Sequence, residues 1–381
     1  MKRITRRSLL RALPTLAGMA WVARHSQPAY ARTHAAGIPL LSPEETLKRA
    51  QAAGQLTVAL VPTDWANYAG IIDAFSTKYS LPVKTIETKG NAQVVIDALR
   101  NSRELEANAP DVIDVPFEFG MQAKRENLLA SYFAAGWRKI PAFLKDAQGF
   151  WSGSHFGVMA FEVNTDMVPT PPQDWSDLLK PIYKGMLALA GDPRKSPLAA
   201  HTVMAASAAL SNGRLGRRGS TPGMSFFSQL NKAGNLLPNV ANRDSLIAGK
   251  TPITFRWDYH ALQERDLLPN KIKVIVPKRG VLARTYVQGV NALASNPYGA
   301  QLWMDFLHSD EGQNLLLNGY ARSTWFGDLL KREAIPTDQL AKLPEPQSYL
   351  HTIFPGAAQI TSALAEIKEK WDSLVGLNFT S

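Results

Sequence analysis

The chain has 381 residues, 45% of them hydrophobic, with 42 Lys and Arg against 32 Asp and Glu and no cysteine. That length suits two folded units, and the lack of cysteine excludes disulfides, thiolate metal sites, a cysteine nucleophile and a lipid-anchored cysteine. Six bases and no acid lie before Arg32 (Lys2, Arg3, Arg6, Arg7, Arg11, Arg24), so without residues 1–31 the formal charge falls from +10 to +4 and no nucleic-acid partner is expected.

Residues 1–31 read as an export signal: the bases, an apolar run from Ala12 to Ala23 and small residues at 29-AYA-31. The run is too short to span a bilayer. Within it, 5-TRRSLLR-11 resembles the signal read by the twin-arginine translocon, an ordinary secretory leader being the alternative. Either way the mature chain, cleaved after about Ala31, is expected in the periplasm, with residues 32–53 as an N-terminal extension.

Then 55-QLTVALVP-62 predicts a strand, 69-AGIIDAFSTKY-79 a helix, 82-PVKTIET-88 a strand, 91-NAQVVIDALRNS-102 a helix capped by Asn91, and 111-DVIDVP-116 a strand. Strands alternating with crossover helices imply a parallel α/β sheet. A second α/β unit opens with the strand 156-FGVMAFEVN-164 and continues through a helix at 175–181, a strand at 185-GMLALAG-191, a helix from Pro193 or Pro197 to Leu210, another at 242–250, and the strand beginning 251-TPITFRWDYHA-261. Asp192 before Pro193 is a good helix cap. The strand 285-TYVQGVNALA-294, helices at 297–309 and 310–320, and a helix at 357–375 complete the chain.

Catalytic patterns are missing. The seven histidines never fall in a metal-ligand spacing and no serine sits in a nucleophile elbow, so neither a metal nor a cofactor is expected. The segment 244-DSLIAGKT-251 lacks the first glycine of a phosphate-binding loop, and 213-GRLGRRG-219 reads as an exposed basic loop.

Polar and aromatic residues gather instead after the predicted strands, where open α/β sheets bind ligands. Asp64, Trp65 and Tyr68 follow the first strand, Asn91 the second and Glu118 the third. In the second unit Arg194 and Ser196 follow Gly191, while Arg256, Trp257, Asp258 and Tyr259 end the 253–259 stretch; Trp151 lies where the units join. Alternation places Arg256 and Asp258 on one side and Trp257 and Tyr259 on the other until the chain turns. Trp257 is the ligand contact this predicts first, with Arg256 either an anion contact or a partner for an acid of the opposite unit. Each tryptophan also has a reading as a buried packing residue.

Two long passages resemble the exported solute-binding proteins of ABC importers, in the branch of iron(III), spermidine/putrescine, thiamine and phosphonate binders. They are 156-FGVMAFEVNTDMVPTPPQDWSDLLKPIYKGMLALAGDP-193 and 291-NALASNPYGAQLWMDFLHSDEGQNLL-316. The resemblance implies two Rossmann-like lobes of the type II periplasmic binding protein fold, joined by crossing strands near 153–160 and 283–291. Residues 54–153 with 286–330 would form lobe 1, 154–285 lobe 2, and 331–381 a helical segment packed on them. It implies a monomer that closes on one small solute, performs no catalysis and delivers the solute to an inner-membrane permease with its ATPase. In polyamine binders a "W.EY" turn follows the first strand; here 65-WANY-68 keeps Trp65 and Tyr68 without the acid, and Gln288 stands at or near a family aspartate. These losses disfavour a polyamine, and the lone Tyr320 disfavours iron(III). A small nitrogen-containing solute, polyamine-like, thiamine-like or a zwitterionic aminoalkylphosphonate, is expected, the rivals being phosphonate or sugar-phosphate anions or iron(III) and, from another class, an exported two-lobed enzyme.

Overall fold

Val58 pairs with Thr85 on one side and Val112 on the other, both in parallel, so the first three strands form the βαβ frame that the spacing predicts. The computed structural model describes residues 38–60, 62–87, 91–101, 109–213, 215 and 219–380; the expected signal peptide, the twin-arginine motif and most of the basic loop lie outside them. In chain order the first elements are α1 (Pro43–Ala52), β1 (Leu56–Leu60), α2 (Tyr68–Tyr79), β2 (Val83–Glu87), α3 (Gln93–Asn101), β3 (Val112–Pro116), α4 (Phe117–Arg125), β4 (Leu129–Ala130) and β5 (Ser152–Asn164). Next come α5 (Pro197–Leu210), α6 (Thr221–Lys232), α7 (Arg243–Ile247), β6 (Ile253–Trp257), α8 (Asp258–Leu267), β7 (Ile272–Ile275) and β8 (Ala283–Asn291). The last are α9 (Pro297–Leu307), α10 (Asp310–Asn318), β9 (Arg322–Ser323), α11 (Phe326–Lys331), α12 (Thr337–Lys342) and α13 (Ala357–Leu374).

Among the described residues nine strands make one curled sheet in the order β2-β1-β3-β8-β5-β6, with β4 on β8 and with β7 and β9 on β5. The two long strands β5 and β8 are the crossings. The first half of β5, from Ser152 to Val158, runs antiparallel to β8; from Met159 it pairs with β6, and from Phe161 also with β7. All thirteen residues of β5 are buried, because it is covered on both faces.

Three expectations change in detail. The stretch 185–191 is not a full strand: Leu187 forms single bridges to Leu236 and Ile253, so the segment is hydrogen-bonded without a continuing ladder. The helix expected at 175–181 forms as short 3₁₀ turns, Trp175–Leu179 and Pro181–Tyr183, the second starting at a proline that denies a continuing helix its amide. The cap of α5 is Ser196, whose hydroxyl accepts from the Ala199 amide at 3.3 Å; Asp192 binds Arg194 instead.

The C-terminal helix α13 buries Ile360, Ala363, Ile367 and Trp371. Its Glu366 carboxylate accepts the Ser220 amide and the Thr221 hydroxyl at the start of α6, which fixes it to the second α/β unit. The segment leading to it lies over the crossing strands: Ile353 bridges Leu282, Phe354 packs edge-on to Phe156, and the Tyr349 hydroxyl donates to Asp258 at 2.7 Å.

Candidate functional site

The register of the sheet assembles one polar face. Across β3, β8 and β5, Asp114 lies opposite Gln288, Pro116 opposite Tyr286, and Tyr286 opposite His155. Side chains alternate along a strand, so Arg284, Tyr286 and Gln288 point to the same side. On that side a cavity of about 170 Å³ opens, bounded by Asp114, Pro116, Arg284 and Tyr286, by Trp65 and Ala92 of the first unit, and by Ser196, Pro197, Leu198, Trp257 and His260 of the second.

Trp65 and Trp257 provide aromatic walls, and each is held by a histidine: the Trp65 ring meets His260 edge-on at 4.2 Å and Trp257 meets His201 at 5.5 Å. The His201 Nδ1 faces the Pro197 carbonyl at 2.7 Å, an acceptor only, so Nδ1 carries the proton and Nε2 is an unpartnered acceptor. Burial drives the His201 pKa down to about 4, Arg284 adding to the effect, and that of His260 to about 3, so both rings are neutral.

Two charged groups meet the cavity with atoms that lack partners. Asp114 is 1% exposed; its Oδ2 accepts the Tyr68 hydroxyl, while Oδ1 has no hydrogen-bond partner among the described residues. Burial lifts its carboxyl to about 7, with the Tyr68 and Ser154 hydroxyls nearby pulling the other way. Arg284 donates from Nη2 to Glu118 Oε1 at 3.2 Å, leaving its Nε and the Glu118 Oε2 without partners. A buried polar atom left unpaired costs about 1–3 kcal/mol, so both sites favour a ligand that completes them.

Of the thirteen residues singled out in the sequence, Trp65, Ser196 and Trp257 line this cavity. Tyr68 and Gln288 stand behind Asp114, and Glu118 behind Arg284. Asp64 is exposed beside Trp65, its carbonyl accepting from Gln263 Nε2 at 3.4 Å. Asn91 accepts the Gln93 amide at the head of α3, and Trp151 packs edge-on to Phe117. Arg194 is engaged by Asp192 and Asp372.

The row RWDY divides at its middle: β6 ends at Trp257 and α8 starts at Asp258. Asp258 accepts the Val158 amide and the Tyr349 hydroxyl, and Tyr259 fills the space over Gly157, where a Cβ would lie 2.4 Å from its ring. Arg256 lies between Glu162 of β5 and Glu264 of α8, so its acids belong to its own unit and not to the opposite one.

Sequence reasoning missed Asp114, Arg284, Tyr286 and His260. The signal for Asp114 was present: one carboxylate in the middle of an otherwise apolar buried strand, VIDVP, needs a reason.

The turn carrying Trp65 rests on the end of α10. Ala66 and Asn67 both have positive φ, 50° and 58°, and Asn67 Nδ2 donates to the Leu315 carbonyl at 3.0 Å. Gly319 lies so close that a Cβ would come 2.3 Å from the Asn67 nitrogen. Gly319→Ala is therefore expected to displace the Trp65 wall, cost about 1–3 kcal/mol of stability and weaken solute binding; thermal unfolding and solute titration of the variant check both effects.

Among the described residues, no group of three or more His, Asp or Glu side chains converges to hold a metal ion, and no helix is long and apolar enough to cross a membrane. A family model described as bacterial extracellular solute-binding protein matches residues 107–342, more than half of the chain. Among solved structures, the chain is similar to an ABC transporter substrate-binding protein from Bradyrhizobium japonicum, at 13% identity and a TM-score of 0.65, over 84% of this chain and 99% of that one. It is similar to the periplasmic binding protein AfuA from Actinobacillus pleuropneumoniae with fructose-6-phosphate bound, at 19% identity and a TM-score of 0.60, over 85% and 99%. The Atu4243-GABA receptor matches at 14% identity and a TM-score of 0.62, over 86% and 99%. At these identities the likeness is one of fold, the two-lobed type II periplasmic binding protein fold. No curated protein matches the chain.

Proposed function

This chain belongs to the bacterial extracellular solute-binding proteins, and from that premise we propose that it is the periplasmic component of an ABC importer, capturing a small zwitterionic solute in the cavity between Asp114 and Arg284. The observation that carries this reading is the pair of oppositely charged groups on one cavity wall, Asp114 buried and Arg284 largely so, each with a buried atom that lacks a hydrogen bond among the described residues. An ammonium group would complete Asp114 Oδ1, and a carboxylate or phosphonate would reach Arg284 and the Ser196 end of α5. Trp65 and Trp257 would cover the carbon chain between them. Closure would bring the lobe of residues 54–153 and 286–330 against that of 154–285, and the loaded protein, a monomer, would dock on a membrane permease with its ATPase.

A second reading, a sugar phosphate as in AfuA, draws on Arg284 and Ser196 in the lining of one cavity; the Asp114 carboxylate, which such a ligand would leave without a counter-charge, speaks against it. A thermal-shift screen of aminoalkanoic acids, aminoalkylphosphonates, polyamines, thiamine, sugar phosphates and ferric citrate tests the proposal, since a ligand of the folded state must raise the midpoint. The amino acids and aminophosphonates are expected to do so; a rise with sugar phosphates or ferric citrate alone would refute it. Export is assigned to the twin-arginine translocon on the strength of 5-TRRSLLR-11. Replacing Arg6 and Arg7 by lysine should hold the precursor in the cytoplasm, as cell fractionation would reveal.

A further inference from the structure

Behind the cavity, four buried side chains from four elements form a hydrogen-bond chain with a fixed direction. The Trp303 indole of α9 can only donate, and it donates to Gln288 Oε1 at 3.0 Å. That orients the amide of Gln288, on β8, so that Nε2 faces the Tyr68 oxygen at 2.9 Å. An amide nitrogen only donates, so the Tyr68 oxygen accepts there, and its single proton goes to Asp114 Oδ2. Trp303, Gln288 and Tyr68 are fully buried. The order of donors is therefore set from the far end, and ionised Asp114, a residue of the cavity lining, is left as an acceptor whose buried Oδ1 has no hydrogen-bond partner among the described residues.

Among the described residues, no cation is hydrogen-bonded or ion-paired to that acceptor. The groups around Asp114 are Tyr68 from α2, Ser154 from β5, and Tyr286 and Gln288 from β8, with His155 of β5 packed against the Tyr68 and Tyr286 rings. His155 donates to or accepts from Ser154 at 3.0 Å and stacks on Tyr286, and burial holds it neutral with a pKa of about 3. Arg284, the cation on the same wall, is paired with Glu118. The missing partner is thus a positive donor that arrives with the solute.

We propose that Asp114 is the specificity determinant of the cavity, selecting a solute whose cationic nitrogen bears N–H bonds over one with a quaternary nitrogen or none, and that Trp303, Gln288 and Tyr68 are positioning residues enforcing this choice. The inference rests on the zwitterion reading above and narrows it. A quaternary ammonium would gain from the tryptophan walls but would leave Oδ1 without a hydrogen bond, and a nitrogen-free acid would leave the buried carboxylate without a counter-charge. Because the free carboxyl titrates near neutrality, an ammonium captured by its ionised form must displace a proton, and apparent affinity should rise with pH up to about 7 and then level off.

The test is calorimetric titration of the full mature protein with straight-chain ω-amino acids and ω-aminophosphonates of three to six carbons, each against its N-trimethyl counterpart and the nitrogen-free acid. The amine is expected to bind at least about a hundredfold more tightly than either analogue, with affinity falling about tenfold per pH unit below pH 7. Tyr68→Phe should weaken amine binding by about tenfold or more, move the pH midpoint upward and narrow the preference over the trimethyl analogue; Trp303→Phe, which frees the Gln288 amide to turn, should act in the same direction. The wild-type comparisons need no variant to fold. Equal binding of the amine and trimethyl forms, or affinity constant from pH 5.5 to 8, would overturn this inference and leave the zwitterion reading standing. Binding of no amine in the series would overturn that reading and this inference together.

Discussion

Replacing Asp114 by asparagine is expected to abolish solute binding while making the free protein more stable at pH 8. Asparagine keeps the shape and can accept the Tyr68 hydroxyl, so the change removes charge with little effect on packing. The wild-type carboxyl is raised from 3.8 to about 7, chiefly by burial. Below pH 3.8 it is protonated in both folded and unfolded chains. Between there and about 7 the folded protein holds a proton that the unfolded chain has lost, so stability falls as pH rises through this window, and the whole cost is present above it. That cost is about 4 kcal/mol, enough to move the unfolding midpoint by a few degrees. Asp114→Asn should therefore show a raised midpoint at pH 8, little change at pH 4, and no response to an amino acid that stabilises the wild type. A lower midpoint at pH 8, or retained binding, would contradict the role assigned to the residue.

Arg256→Met is expected to do the opposite, costing about 3–5 kcal/mol of stability without changing which solutes the folded protein prefers. Arg256 is the cation between Glu162 and Glu264, and Glu162 is 0% exposed with neither oxygen hydrogen-bonded. Burial and the neighbouring Glu264 already push the Glu162 carboxyl up. Removing the guanidinium leaves two carboxylates facing each other out of water, a cost that eases as falling pH protonates Glu162. Denaturant unfolding at pH 8 and pH 5.5 should show the larger loss at pH 8. A variant of wild-type stability that had lost binding would return Arg256 to the list of ligand contacts.

The alternation of strand and helix was legible because it depends on local periodicity: β1, α2, β2, α3 and β3 form within a residue or two of where the apolar spacing puts them, and β8 covers the expected crossing. The site was legible only in part, because ion pairs and register are non-local. Nothing near Arg194 in sequence announces Asp372, and nothing near Arg256 announces Glu162. Gln288, read as the loss of an acid, lies directly opposite Asp114 in the β3–β8 ladder, so a carboxylate stands one strand away from where it was sought. The row ending in RWDY looked like one cluster; the helix beginning at Asp258 sends Trp257 to the cavity and Asp258 toward Val158 and Tyr349.

The most direct measurement is to purify the mature protein from the periplasm without denaturing it, release whatever small molecule it carries, and identify that molecule by mass spectrometry. The account predicts a solute bearing both a protonatable N–H amine and a carboxylate or phosphonate, released on unfolding and absent from the Asp114→Asn protein. A nitrogen-free sugar phosphate or an iron(III) complex, bound equally by that variant, would contradict it.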